Sequence, residues 1–184
     1  MKMNSILTAL GQLDFLNTLW LFFLVFVLHE FEEWNIDRFE RRNFSGLPPA
    51  ATDRSARMWI AFIVVVGLVW CVVATLPGNP TIAAWVILPA ITMMLQNALQ
   101  HTYWSFYFRQ YAPGVITSVL LLIPICCYVA ARAVQQGYAP IWYAAVWAVV
   151  LVLGLAQTVK AGNKMTPLVR AINTIGIVLA NRIR

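Results

Sequence analysis

Five apolar runs of bilayer length occupy most of this 184-residue chain and leave it one kind of fold. Each crossing of a hydrocarbon core takes about 20 helical residues, and backbone in that core must satisfy its own hydrogen bonds. The runs lie near 13–34, 58–77, 81–107, 114–135 and 139–160. In a sixth segment, 165–183, Leu168, Ile172, Ile175 and Leu179 recur at helical spacing, interrupted by Arg170, Asn173, Asn181 and Arg182. It reads as an amphipathic helix lying on the membrane surface. The predicted fold class is all-α: a polytopic transmembrane helical bundle, with five spans plus a C-terminal amphipathic interfacial helix, in a single transmembrane domain over 1–184. The chain is 61% hydrophobic, which no soluble domain of this size matches. The first run lacks an A-x-A-like cleavage site and carries charges, so it reads as a span and not a signal peptide. No internal repeat is apparent. Cys71, Cys126 and Cys127 all sit in apolar runs and read as packing residues, without a disulfide framework or a CxxC metal knuckle.

The net charge of +6 comes from basic residues flanking the apolar runs, a membrane-topology pattern that argues against nucleic acid as a partner. Arg38, Arg41, Arg42, Arg54 and Arg57 lie between the first two spans, Arg109 between the third and fourth, and Lys160, Lys164, Arg170, Arg182 and Arg184 in the tail. The other side carries only Lys2, Arg132 and the uncharged turn at 77–80. Positive-inside then puts the N-terminus outside and the C-terminus in the cytoplasm. The first and third spans both run inward under this topology. Their polar ends, near His29–Trp34 and His101–Phe108, share one depth, with Trp34, Tyr103, Trp104 and Tyr107 as an interfacial belt.

All seven acids, Asp14, Glu30, Glu32, Glu33, Asp37, Glu40 and Asp53, fall within the first 53 residues, and His29 and His101 are the two histidines of the chain. Charges at mid-bilayer cost roughly 3 kcal/mol each, so the cluster closing the first span points to function. His29 and Glu33 are four residues apart and share a helix face, with Glu32 beside them. Glu30 and Phe31 point elsewhere; Glu30 reads as a solvated or headgroup residue. On the third span, Asn97 and His101 repeat the four-residue spacing, with Gln96 and Gln100 alongside.

Two imidazoles, two carboxylates and an amide can hold a divalent metal, zinc or else iron or manganese. They can also transfer protons or form an ion path. Each residue has a plainer reading as well: His29–Glu33 as an ion pair, Asn97 as interhelical glue, His101 as an interfacial anchor. Tyr111-Ala112-Pro113-Gly114 opens the fourth span, where free N–H groups and Arg109 could receive an anionic headgroup, with Thr117 and Ser118 one turn in; it is equally an ordinary interhelical turn. Pro89 and Pro124 are expected to kink their helices.

His29-Glu30-Phe31-Glu32-Glu33 resembles the H-x-x-E-E signature of the HXXEE family of small bacterial and archaeal membrane proteins. Asn97 to His101 resembles that family's N-x-x-x-H motif, and Tyr111 to Gly114, followed by Thr117, its Y-x-P-G motif. The resemblance spans 29–117 in the family's order and implies an integral membrane protein of enzymatic type, without a defined reaction. Sterol-isomerase-type bundles share such parts, though not an alignment.

The expected function is a membrane-embedded enzyme of the plasma (inner) membrane, acting on a lipid or isoprenoid-like substrate by metal-assisted hydrolysis. His29, Glu33 and His101 would be the metal ligands and Glu32 a base or fourth ligand. Asn97 and Tyr111 would orient substrate or water, and Arg109, Gly114 and Thr117 would bind substrate. A metal-free isomerase or cyclase, a proton or cation transporter, and a structural assembly protein are the competing readings. Small residues and eight tryptophans are compatible with a homo-oligomer.

Overall fold

Start and stop signals in the sequence set the helix boundaries in the computed structural model, which describes residues 13–183. Asp14 caps α1 (Phe15–Glu32) by accepting the Asn17 N–H at 2.7 Å. A 3₁₀ turn at Glu33–Asn35 separates α1 from α2 (Ile36–Asn43). Thr52 and Ser55 form a capping box on α3 (Asp53–Thr75). Asn79 with Pro80 starts α4 (Pro80–Phe108), and Arg109, at φ 54°, ends it in the left-handed region. α5 covers Val115–Gln135, α6 Ile141–Ala161 and α7 Pro167–Arg182. Lys2 and Arg184, used in the charge reading, lie outside the described residues.

Five helical runs are long and apolar enough to cross a membrane, and α7 is not among them. The stretch between the first two apolar runs is partly helical, since helix resumes at Ile36 after the 3₁₀ break. Arg57 holds that break from α3: its guanidinium donates to Asn35 Oδ1 at 3.1 Å and stacks over Trp34 at 5.5 Å. In α5 the turn Ser118–Leu122 winds as π-helix, with the Ile123 N–H reaching the Ser118 carbonyl. The wider turn precedes Pro124, whose ring would crowd the carbonyl four residues back.

Two apolar clusters bracket the polar residues. One joins α1, α3, α4 and α5 through Leu19, Cys71, Ile87, Leu122 and Val129, with Ala74, Ala84 and Ala133 letting backbones approach. The other gathers Phe39, Phe44 and Trp104 with Met165 and Val169. Trp104 is thus a core residue, not part of an interfacial belt, because its ring packs under His101 at 5.1 Å and against Phe44 at 4.9 Å. Helix α6 lies on the perimeter and packs on α4, where Gly154 leaves room for Gln96 and Thr158 donates to Gln100 at 3.0 Å.

The tail helix does more than rest on a surface. A Cβ at Gly176 would come within 2.4 Å of the Ser55 carbonyl, so α7 lies directly on α3. Asn173 reaches across to donate to Glu40 at 3.1 Å. Gly176→Val should lower stability by about 1–3 kcal/mol through overpacking, read as a lower melting temperature in detergent; unchanged melting would mean that α7 is not docked there.

Candidate metal centre

The i,i+4 spacing on α1 and on α4 brings His29, Glu33, Asn97 and His101 into contact. Glu33 Oε1 lies 2.8 Å from His29 Nε2 and 2.9 Å from His101 Nε2. Asn97 Nδ2 donates to the same oxygen at 3.2 Å and lies 3.1 Å from His29 Nε2. Both rings are buried, at 0% and 2% exposure, and meet edge to face with centroids 5.4 Å apart.

A second set of contacts orients His29. The Thr117 hydroxyl donates to Glu32 Oε2 at 2.6 Å and presents its lone pair to His29 Nδ1 at 2.9 Å. The ring proton is therefore assigned to Nδ1, leaving Nε2 as an acceptor; the Asn97 amide facing Nε2 fits the same assignment. Two Nε2 atoms and one carboxylate oxygen then converge, with His29 Nε2 bare and His101 Nε2 within hydrogen-bond reach of Glu33. A proton or a metal cation would reconcile the bare His29 Nε2 with Glu33 Oε1, 2.8 Å away.

The donor set fits a metal. Two histidines and a glutamate form a known zinc ligand set that leaves a position open, and a ligand histidine anchored through its other nitrogen is the usual second layer. The ligand atoms lie within 4.8 Å of one another. The two close pairs are slightly tighter than the about 3.3 Å expected around tetrahedral zinc, so a small rotation of Glu33 would admit the ion. His101 Nδ1 lies beside the Pro113 carbonyl without reaching hydrogen-bond geometry.

Glu32 goes elsewhere than the ligand cluster. Its carboxylate accepts four hydrogen bonds: from Tyr111 OH at 2.7 Å, Ile116 N–H at 3.0 Å, Thr117 N–H at 2.7 Å and the Thr117 hydroxyl. The anion expected at the start of α5 is supplied by the chain itself, so the N–H groups foreseen for a headgroup are already engaged. Tyr111 is 54% exposed and holds Glu32. Partial burial, and then its bond to Glu32, push its phenol from the ordinary 10.0 up to about 12. Arg109 is exposed on the α4–α5 turn and makes no ion pair among the described residues.

Gly114 closes the site with backbone. Its φ is +93°, and a Cβ there would meet His29 Cε1 at 2.9 Å and Glu33 Cγ at 3.0 Å. Both the conformation and the space require glycine.

Glu30 corrects the sequence reading: it is 4% exposed and lines an internal cavity of ≈ 180 Å³ beside Glu33 and His101. At 3.6 residues per turn, Glu30 lies about 60° from Glu33 around α1 and Glu32 about 100°, so the spacing already favoured Glu30 as the neighbour. Glu40, buried on α2, also lines the cavity, although its charged segment between the apolar runs gives no sign of burial. Its seven-residue offset from Glu33 was the available signal.

The fold and site define an integral membrane helical bundle with a buried His–Glu–His cluster. A family model described as "protein of unknown function with HXXEE motif" matches residues 20–129, and the chain belongs to that family. No curated protein and no solved structure matches the chain.

Two outcomes are expected. Gly114→Ala should cost roughly 1–3 kcal/mol through left-handed strain alone, seen as reduced melting; a wild-type melting curve would deny the close approach. The Tyr111 phenol should titrate near 12 in an ultraviolet difference spectrum against Tyr111→Phe, with Glu32→Gln lowering the midpoint. A phenol raised in the fold contributes stability below its unfolded value and loses it as pH climbs through the folded one.

Proposed function

We propose a membrane-embedded, metal-dependent enzyme that hydrolyses a lipophilic substrate, with His29, Glu33 and His101 as the ligands. The observation that carries this reading is the convergence of two imidazole nitrogens and a carboxylate oxygen on one point, with the His29 tautomer held for ligation by Thr117 and Glu32. Zinc, iron or manganese bound there would supply a Lewis acid and a water ionised near neutral pH. The protein's own groups would do the rest. Thr117, backed by Glu32 and Tyr111, keeps the His29 ring in register. Asn97 pins Glu33 and presents an amide to whatever enters beside it. The Gly114 backbone seals one side against bulk water.

The substrate would enter sideways from lipid. Met93 lines the cavity and is half exposed, so the chamber reaches the outer surface of the bundle beside α4. At the far end the two helices are joined by the Trp70 indole N–H donating to the Val86 carbonyl at 2.7 Å. The arginines around this polar end support a cytoplasmic-leaflet site in a plasma membrane, by the positive-inside rule. Arg109, Gly114 and Thr117 are better suited to forming and holding the site than to binding a headgroup.

Metal-free acid–base isomerisation or cyclisation is the second reading. It is favoured by Glu33 Oε1 already lying within hydrogen-bond reach of both imidazoles, as shared protons would require. Transport has less support, because the buried Leu19, Ile87, Leu122 and Val129 close the opposite half of the bundle.

Metal content separates the readings. Purified protein is expected to carry about one zinc, iron or manganese ion per chain, lost in His29→Ala and in His101→Ala. Thr117→Val should weaken affinity about 10–100-fold in chelator competition, as loss of a supporting contact does. Wild-type protein that takes up none of these ions would end the hydrolase reading and leave the acid–base one.

A further inference from the structure

The cavity beside the ligand cluster has a charge imbalance that the proposed chemistry does not use. Three carboxylates line it, Glu30, Glu33 and Glu40, and no lysine or arginine does. Glu40 accepts from Asn173, whereas Glu30, though more than nine-tenths buried, has no hydrogen-bond partner among the described residues. A buried carboxylate without a donor or counter-ion is costly. The basic groups of the surrounding elements are directed elsewhere: Arg38 to Asp53 at 3.9 Å, Arg41 to Asp37 at 2.7 Å, and Arg57 to Asn35, while Arg42, Arg170 and Arg182 are exposed. Helix α4 contributes neither lysine nor arginine, and Arg54, from α3, donates to the Ile183 carbonyl. A divalent ion on the cluster would offset Glu33 and one further charge, leaving one carboxylate of the cavity without a counter-charge.

We infer that this chamber takes a lipophilic amine, its ammonium group against Glu30 and its hydrocarbon chain running past Met93 toward lipid. The inference rests on the reading of this cavity as the substrate chamber and names the substrate class. An anionic headgroup would meet Glu30 and Glu40 with no lysine or arginine in the lining to receive it. A bare inorganic cation would leave the apolar wall at Ile60 and Met93 unused. An ammonium gains charge-assisted hydrogen bonds to a carboxylate that lacks any, and the rings of Trp59 and Trp104, which also line the cavity, favour a cation over a neutral head.

The test compares decylamine, decanol and decanoate binding to the full chain in phosphatidylcholine nanodiscs, with uptake by empty nanodiscs subtracted. Wild-type protein should bind decylamine about tenfold or more tightly than decanol and decanoate least. Glu30→Gln should bring decylamine and decanol level. Equal binding of the amine and the alcohol by wild type, or a preference that survives in both Glu30→Gln and the Glu30→Gln/Glu40→Gln double variant, overturns the inference. Should Glu30→Gln fail to fold, the wild-type comparison decides by itself. Metal content measured on the same samples keeps the two ideas apart. Amine preference without metal would leave this inference standing and the hydrolase reading fallen; metal without preference would do the reverse.

Discussion

The Glu32 carboxylate, fixed on the exposed N–H groups that open α5, is the contact on which the polar end of the bundle depends. Two backbone donors and two hydroxyls converge on it. It joins the end of α1 to the start of α5 by charge-assisted bonds to a helix N-terminus, a site that favours negative charge. The same clamp reaches one step further through Thr117 to His29 Nδ1. It thereby selects which imidazole nitrogen is left bare, and so whether the ring can face a cation at all. Without it, the four-residue spacing of His29 and Glu33 would specify a helix face and little more.

The spans were readable because their information is local. Apolar length, flanking arginines and the caps at Asp14, Asn79 and Thr166 lie in the chain itself. The pairing of His29 and Glu33 with Asn97 and His101 was readable for a similar reason: two short spacings on spans of equal depth meet if the spans are neighbours. Residues whose partners come from a distant segment were harder. Glu32 was expected near the ligands, yet the N–H groups that hold it come from residues some eighty positions on. Glu40 was lost in a segment whose charges mimic a loop, although helix continues there under cover of Phe39, Phe44 and Trp104.

Glu30 shows the limit of hydropathy reasoning most clearly. A carboxylate next to an exposed Phe31 looks as though it belongs to headgroups. The packing of α7 on α3 adds Val169 and Asn173 to the lining of the cavity that Glu30 shares, so that its surroundings are protein and not headgroups. That packing depends on glycine at 176, a residue with no polar or apolar signature to announce it.

The tail helix also divides the molecule's labour. Everything that grips His29 and Glu33 lies inside the family-matched stretch of 20–129, whereas Val169 and Asn173 stand well beyond it. The ligand cluster and the α7 part of the cavity lining are thus written in separate lengths of chain. A relative that kept the first and exchanged the second would hold the same cluster beside a differently shaped chamber, so the cavity in such a scaffold can change without any change to the His–Glu–His residues.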